Sequence, residues 1–293
     1  MNKKQMLIPV VILSLVLVLA GCGGSGGSSA PSSEAPAPAP ASSEAPSSES
    51  APAPESSAAE EPVTIMVAAA ASLEKSYTGA LIPMFREKYP HITVEGTYDS
   101  SGKLQTQIEE GLAADVFMSA AMSQMNNLKD QSLVDADSIV QLLENKLVLV
   151  APIDSTTDIA SFEDAVKADT VAIGDPESVP AGQYAKEALT NLGVYDTIEA
   201  KASLGTNVTE VVNWVAEGSA DIGFVYATDA ASNADKVKIL AEAPEGSLTT
   251  KVIYPVGIVA ASEHKDAAQL FVDFLKSPEA IAVFESYGFV ANK

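Results

Sequence analysis

The chain has 293 residues, one cysteine, and 39 acidic against 17 basic residues, a formal net charge of −22. So acidic a chain makes nucleic acid and anionic membrane surfaces poor partners, because both would repel it. A lone cysteine excludes a disulfide framework and a thiolate cluster for zinc or iron–sulfur.

At the N-terminus, Lys3 and Lys4 precede an apolar run from Met6 to Ala20. The run is shorter than the ~20 residues a membrane span needs and has the form of a signal-peptide core. It ends in Leu19-Ala20-Gly21-Cys22. Small residues before a cysteine resemble the bacterial lipobox, which implies cleavage after residue 21 and a lipid anchor on Cys22. A signal peptide over 1–21 removes two lysines and no acids, leaving 15 basic against 39 acidic residues, a formal −24. With Cys22 at the new N-terminus, the rest of the chain holds no cysteine for catalysis.

Residues 22–61 contain that cysteine and then almost only Gly, Ser, Ala, Pro and Glu, in near-repeats such as Ser32-Ser33-Glu34-Ala35-Pro36 and Ser42-Ser43-Glu44-Ala45-Pro46. Without aromatic or branched aliphatic side chains, nothing offsets the entropy of ordering such a segment, so it is expected to be a disordered tether. As a coil it would average about 35 Å end to end. Residues 62–293 can bury a substantial core.

That folded part alternates short branched-apolar runs with amphipathic patterns. The runs Val63–Val67, Ile92–Val94, Val116–Met118, Leu147–Val150, Val171–Ile173, Ile222–Tyr226 and Val252–Val259 predict strands. The patterns over Leu104–Leu112, Ala181–Leu192, Val208–Glu217 and Ala267–Leu275 predict helices. Gly193 is placed to stop one helix, Asn207 to cap another, and Pro278 to open a third. The alternation predicts an α/β fold, with parallel sheets covered on both faces.

In such folds ligands bind where strands end and helices begin. Four junctions stand out: Val67 to Leu73 with Ser72, Tyr98 to Leu104 with Ser100 and Ser101, Gly174 to Gly182, and Gly205-Thr206-Asn207-Val208. Each presents backbone N–H groups at a positive helix end, and the serines add hydroxyls. Taken singly, each serine or asparagine reads as an ordinary helix cap. Together the junctions lack histidine, cysteine and carboxylates paired at metal-ligand spacing, and Lys103 is the one nearby cation. If the serines and helix-opening amides form a site, it donates hydrogen bonds without formal charge, which suits a fully deprotonated tetrahedral dianion that can only accept. Asp99 is the one acid adjacent to the serines that could serve a protonated phosphate.

The stretch Val67 to Leu73, Ser-Ser-Gly-Lys-Leu at 100–104, Ala114 to Ala120, and above all Gly174 to Leu189 resemble the molybdate-binding proteins of ABC importers. Gly223 to Tyr226, Tyr254-Pro255-Val256 and Tyr287-Gly288-Phe289 extend the resemblance across the whole folded part. It implies a two-lobed periplasmic-binding-protein-like fold of type II, with a ligand cleft between lobes joined by two crossovers. The first lobe would comprise 62–145 and 252–293, the second 146–251. It further implies that molybdate, and tungstate with it, is held by Ser72, Ser101, Ala181, Val208 and Tyr226. No cofactor and no metal-cation ligand is expected, since molybdenum arrives as the oxyanion. The implied partners are a permease and an ATPase of an importer, with the receptor a monomer on the outer side of the cell membrane.

Asp99 departs from the pattern, which expects a small neutral residue there; it should either point outward or weaken the anion field. Trp214 reads as core, and His91 and His264 as surface residues. The same fold binding sulfate or another small oxyanion, or acting as a non-transporting sensor, stays open on sequence. A secreted hydrolase does not fit, because no Gly-x-Ser-x-Gly elbow surrounds Ser72 or Ser101 and neither histidine lies in a motif.

Overall fold

The computed structural model describes residues 61–293; the expectations for the signal peptide, for Cys22 and for almost all of the tether lie outside them. Two mixed β-sheets, each flanked by helices, make up this part. The first begins with β1 (Val63–Ala70), a run of helical turns leading through α1 (Glu74–Ser76) to α2 (Ile82–Lys88), and β2 (Ile92–Asp99). It continues through α3 (Ser101–Glu109), β3 (Val116–Met118), α4 (Met122–Asp130) and β4 (Val140–Asn145). The chain then crosses to the second sheet through Lys146 alone. There it forms β5 (Leu147–Pro152), β6 (Val171–Gly174), α5 (Pro180–Asn191), α6 (Tyr195–Glu199), β7 (Ala202–Gly205) and α7 (Val208–Ala216). After β8 (Ile222–Tyr226), α8 (Ala227–Ala231) and β9 (Val237–Glu242) it returns as β10 (Val252–Ile258), α9 (Lys265–Leu275), α10 (Pro278–Ser286) and β11 (Val290–Ala291).

The first sheet has the order β11-β4-β10-β3-β1-β2 and the second β7-β6-β8-β5-β9. Strand β1 runs parallel to β2 and β3, and β6 parallel to β7 and β8. The returning β10 is antiparallel to β3 and β4, and β5 is antiparallel to β8 and β9. The expectation of parallel sheets is therefore corrected to mixed ones. Strands that carry the chain between the sheets enter from the opposite end, and apolar content does not encode direction.

Local physics explains the elements that hold the site. In α7, Val208, Val211, Val212 and Val215 recur at helical spacing and are all buried, so the helix has one apolar face for β6 and β8. Its start is fixed by Asn207, whose side chain accepts from Glu210 N at 3.0 Å, while Glu210 Oε2 accepts from Thr206 N at 2.6 Å. Pro180 opens α5, where a missing N–H costs nothing. Gly182 seats that helix on β6: a Cβ there would lie 1.9 Å from the Gly174 carbonyl oxygen. In β10 the pairing with β4 slips between Tyr254 and Pro255, because proline cannot donate to the ladder and a bulge absorbs it. A T-shaped contact of Phe85 on Phe271, with centroids 4.9 Å apart, anchors α2 to α9. No helix among the described residues is long and apolar enough to cross a membrane.

Candidate oxyanion site

Ser72 falls in the 3-10 turn Ala71–Leu73 that follows β1. It caps nothing there; its Oγ lies 2.9 Å from Tyr254 Oη. Asn145 Nδ2 donates to the same Tyr254 hydroxyl at 3.2 Å and to Thr228 Oγ1 at 2.9 Å. The bulge in β10 thus aims Tyr254 at the point where β4 hands over to β5.

Ser101 is the first residue of α3 and fully buried. It too does not act as a cap: its Oγ accepts from Ala120 N at 3.0 Å. The carbonyl of the same Ala120 accepts from Tyr226 Oη at 3.4 Å. One residue therefore links Ser101 to Tyr226, which ends β8 in the other sheet. The Tyr226 ring also packs edge-on against Tyr254, with centroids 5.6 Å apart. Burial holds the Tyr226 hydroxyl well above its ordinary pKa, so it stays protonated and able to donate. Ser72, Ser101 and Tyr226 are thereby brought into one connected group.

Ala181 and Val208 occupy helix openings. Ala181, fully buried, follows Pro180 and so carries the first N–H of α5. Val208 is the first residue of α7, and the Asn207 cap takes the Glu210 amide. Amides this early in a helix have no intrahelical acceptor. The loop before α5 touches the opening of α3, where Gly102 N donates to Ser178 O at 2.9 Å. The loop before α7 meets the end of β2, where Asn207 Nδ2 donates to Asp99 Oδ1 at 3.2 Å.

The two halves are closed on each other. Besides those contacts, Gln124 Nε2 donates to Gln183 Oε1 at 3.1 Å and Lys75 Nζ to Ser232 O at 2.8 Å. Asp99 is neither outward nor bare: it also accepts from Ser100 N at 2.8 Å and pairs with Lys103 at 3.3 Å. Ser100 Oγ is buried and has no hydrogen-bond partner, a second hydroxyl beside Ser101. Trp214 is half-buried against the core, His91 is half-buried and His264 is exposed. No group of three or more His, Cys, Asp or Glu among the described residues is arranged for a metal ion. A hollow of about 430 Å³ lies elsewhere, beside the Lys146–Glu242 and Lys251–Glu144 ion pairs. It holds none of the five residues, and its exposed, mutually paired charges offer a dianion nothing.

Tyr254, quoted in the resemblance, and Asn145 are not among the five residues it implies for the anion. Tyr254-Pro255 inside an apolar strand was the available signal, since proline there forces a bulge. Nothing local marked Asn145. Asp229, at the start of α8, was also missed. It is buried, its Oδ2 lacks a partner, and burial lifts its pKa to about 7 against the pull of backbone hydrogen bonds at Tyr226 and Asp229 and of the Lys75 charge. Because the folded pKa exceeds the ordinary 3.8, the folded state binds the proton more tightly. The stability this contributes is complete below about pH 4 and lost as pH rises through about 7. Thermal melts between pH 4 and 8 should show that decline, and Asp229→Asn should flatten it and raise the melting temperature at pH 8. An equally steep decline in the variant would assign the pH dependence elsewhere.

Two sheets flanked by helices, between which the chain crosses twice and hydrogen bonds such as Gly102–Ser178 and Asp99–Asn207 run, give the architecture of a two-lobed solute-binding protein. The chain belongs to the bacterial extracellular solute-binding proteins, whose family model matches residues 65–290. It is 38% identical over 233 residues to YvgL of Bacillus subtilis (strain 168), provisionally named an ABC transporter substrate-binding lipoprotein, covering 80% of this chain and 88% of that one. It is likewise 38% identical over 235 residues to the molybdate-binding protein ModA of Escherichia coli (strain K12), covering 77% and 88%. Among solved structures, the substrate-binding domain of a provisionally assigned molybdenum ABC transporter from Clostridium difficile superposes with a TM-score of 0.62. That match has 36% identity and covers 79% of this chain and all of that one.

Proposed function

We propose that the chain captures molybdate, and tungstate with it, between its lobes and delivers it to an ABC importer. What supports this reading is the linkage of Ser72, Ser101 and Tyr226 across the two sheets through Tyr254 and Ala120, to which the resemblance adds the amides of Ala181 and Val208. A molybdate dianion offers four acceptor oxygens and no proton, so such a set satisfies it without a counter-ion. Hydrogen bonds to a charged group contribute about 1.5–3 kcal/mol each, enough in combination for tight binding in a closed cleft. The roles of all five residues rest on the resemblance, and those of Ser72, Ser101 and Tyr226 also on their connection through Ala120 and Tyr254. Asn145 donates to Tyr254, so the Tyr254 hydroxyl can donate its hydrogen bond to Ser72 Oγ and leave the Ser72 O–H free to donate to the anion.

The formal charge of −22 does not oppose this, because surface charge is screened beyond about 8 Å at physiological salt while the donors act at contact. In this reading 62–145 with 252–293, and 146–251, are the moving lobes, and closure is the signal the importer reads. The chain works as a monomer and catalyses nothing. Cys22 carries the lipid and 23–61 the leash that keeps the receptor near its permease and ATPase. Calorimetric titration of the full chain with molybdate and with sulfate tests the ligand assignment. Heat with sulfate alone would keep the fold and move the ligand.

A further inference from the structure

The contacts across the cleft differ in kind. Gly102–Ser178 joins backbone to backbone and Gln124–Gln183 joins two neutral amides. Asp99–Asn207 is the one whose acceptor is a carboxylate from one lobe and whose donor adjoins Val208, whose amide the proposed function places on the anion. Asn207 is used twice: Oδ1 caps α7 through Glu210 N, and Nδ2 reaches across to Asp99. Its orientation is therefore fixed from both sides. Asp99 is held in turn by Ser100 N and by Lys103, whose charge balances the carboxylate.

We propose that Asp99 is a positioning residue whose carboxylate, bonded to Asn207 across the cleft, latches the lobes shut and slows release of the anion. This rests on the reading of the cleft as an oxyanion site. The opposite expectation is definite: a carboxylate acting on the ligand only through its charge would repel a dianion, and its removal would tighten binding. The two accounts differ in sign.

The single tryptophan supplies the readout. Trp214 on α7 lines a hollow with Ala71 and Tyr98 of the other lobe and with Asn207, so its fluorescence should follow closure. Stopped-flow mixing of the full chain with molybdate gives the dissociation rate from the intercept of observed rate against concentration. The side chain of Asp99 is 28% exposed, which screens the contact, so Asp99→Ala should speed dissociation by about tenfold. Asp99→Asn, which retains an acceptor, should fall between. Asn207→Ser keeps a capping oxygen but loses the donor, and should speed release as much as Asp99→Ala. The double variant should add nothing further. Unchanged or slower release in Asp99→Ala, or multiplying effects in the double variant, would overturn the latch. If the unmodified chain gave no signal with molybdate or tungstate, the oxyanion reading would fail instead. Small-angle scattering of the ligand-free chain would then decide the latch: a larger radius of gyration in Asp99→Ala supports it, and an equal one overturns it.

Discussion

Gly102→Ala should weaken molybdate binding by about a hundredfold while leaving the ligand-free chain at least as stable as before. A Cβ at Gly102 would lie 2.4 Å from the Ser178 carbonyl oxygen and 2.8 Å from its Cα. Those are backbone atoms of the other lobe and cannot swing aside as a side-chain tip can. The three atoms nearest that Cβ all belong to Ser178. Gly102 sits in the first turn of α3, where alanine is favoured over glycine by up to about 1 kcal/mol. The substitution should therefore separate closure from folding. Two orders of magnitude in affinity correspond to about 2.8 kcal/mol, a modest cost for wedging the lobes apart. Calorimetry with molybdate, paired with thermal melts without it, checks both halves. Unaltered affinity would mean that the bound lobes never approach as closely as Gly102 and Ser178 do here.

Ser101→Ala should raise the dissociation constant by about 10- to 100-fold, the loss expected of one donor to a charged acceptor. It should also lower the melting temperature, because Ala120 N donates to Ser101 Oγ in a buried setting. Leaving that amide unpaired costs about 1–3 kcal/mol. The same measurements on Ser101→Ala thus give losses in both columns, in contrast to the glycine variant. An affinity indistinguishable from that of the unmodified chain would remove Ser101 from the site.

The parts of this architecture written locally could be read locally. The runs now seen as β5 and β8 are continuous apolar segments, and the valines of α7 with Asn207 before them mark that helix and its first turn. Polar or short elements could not: α4 reads Met-Ser-Gln-Met-Asn-Asn-Leu-Lys-Asp, and β4, β7 and β9 mix polar with apolar residues. Their identity comes from the neighbours they pair with. The cap reading of Ser72 and Ser101 failed for a related reason. Both hydroxyls are engaged by partners far along the chain, Tyr254 and Ala120, and an N-cap rule sees only four residues. Asp99 could not be interpreted for the same reason, since its decisive partner, Asn207, is 108 positions away. The proposed ligand class follows from what the junctions lack, and the proposed choice among oxyanions from the resemblance of the long Gly174 to Leu189 block.

The most direct test of the central claim is a competition titration of the full chain at physiological salt with molybdate, tungstate, sulfate and phosphate. On the proposed function the chain should bind molybdate and tungstate one to one. It should bind sulfate and phosphate at least about a hundredfold more weakly, the discrimination that about 2.8 kcal/mol of misplaced hydrogen bonds provides. Sulfate or phosphate bound as tightly as molybdate, or no oxyanion bound at all, would contradict it.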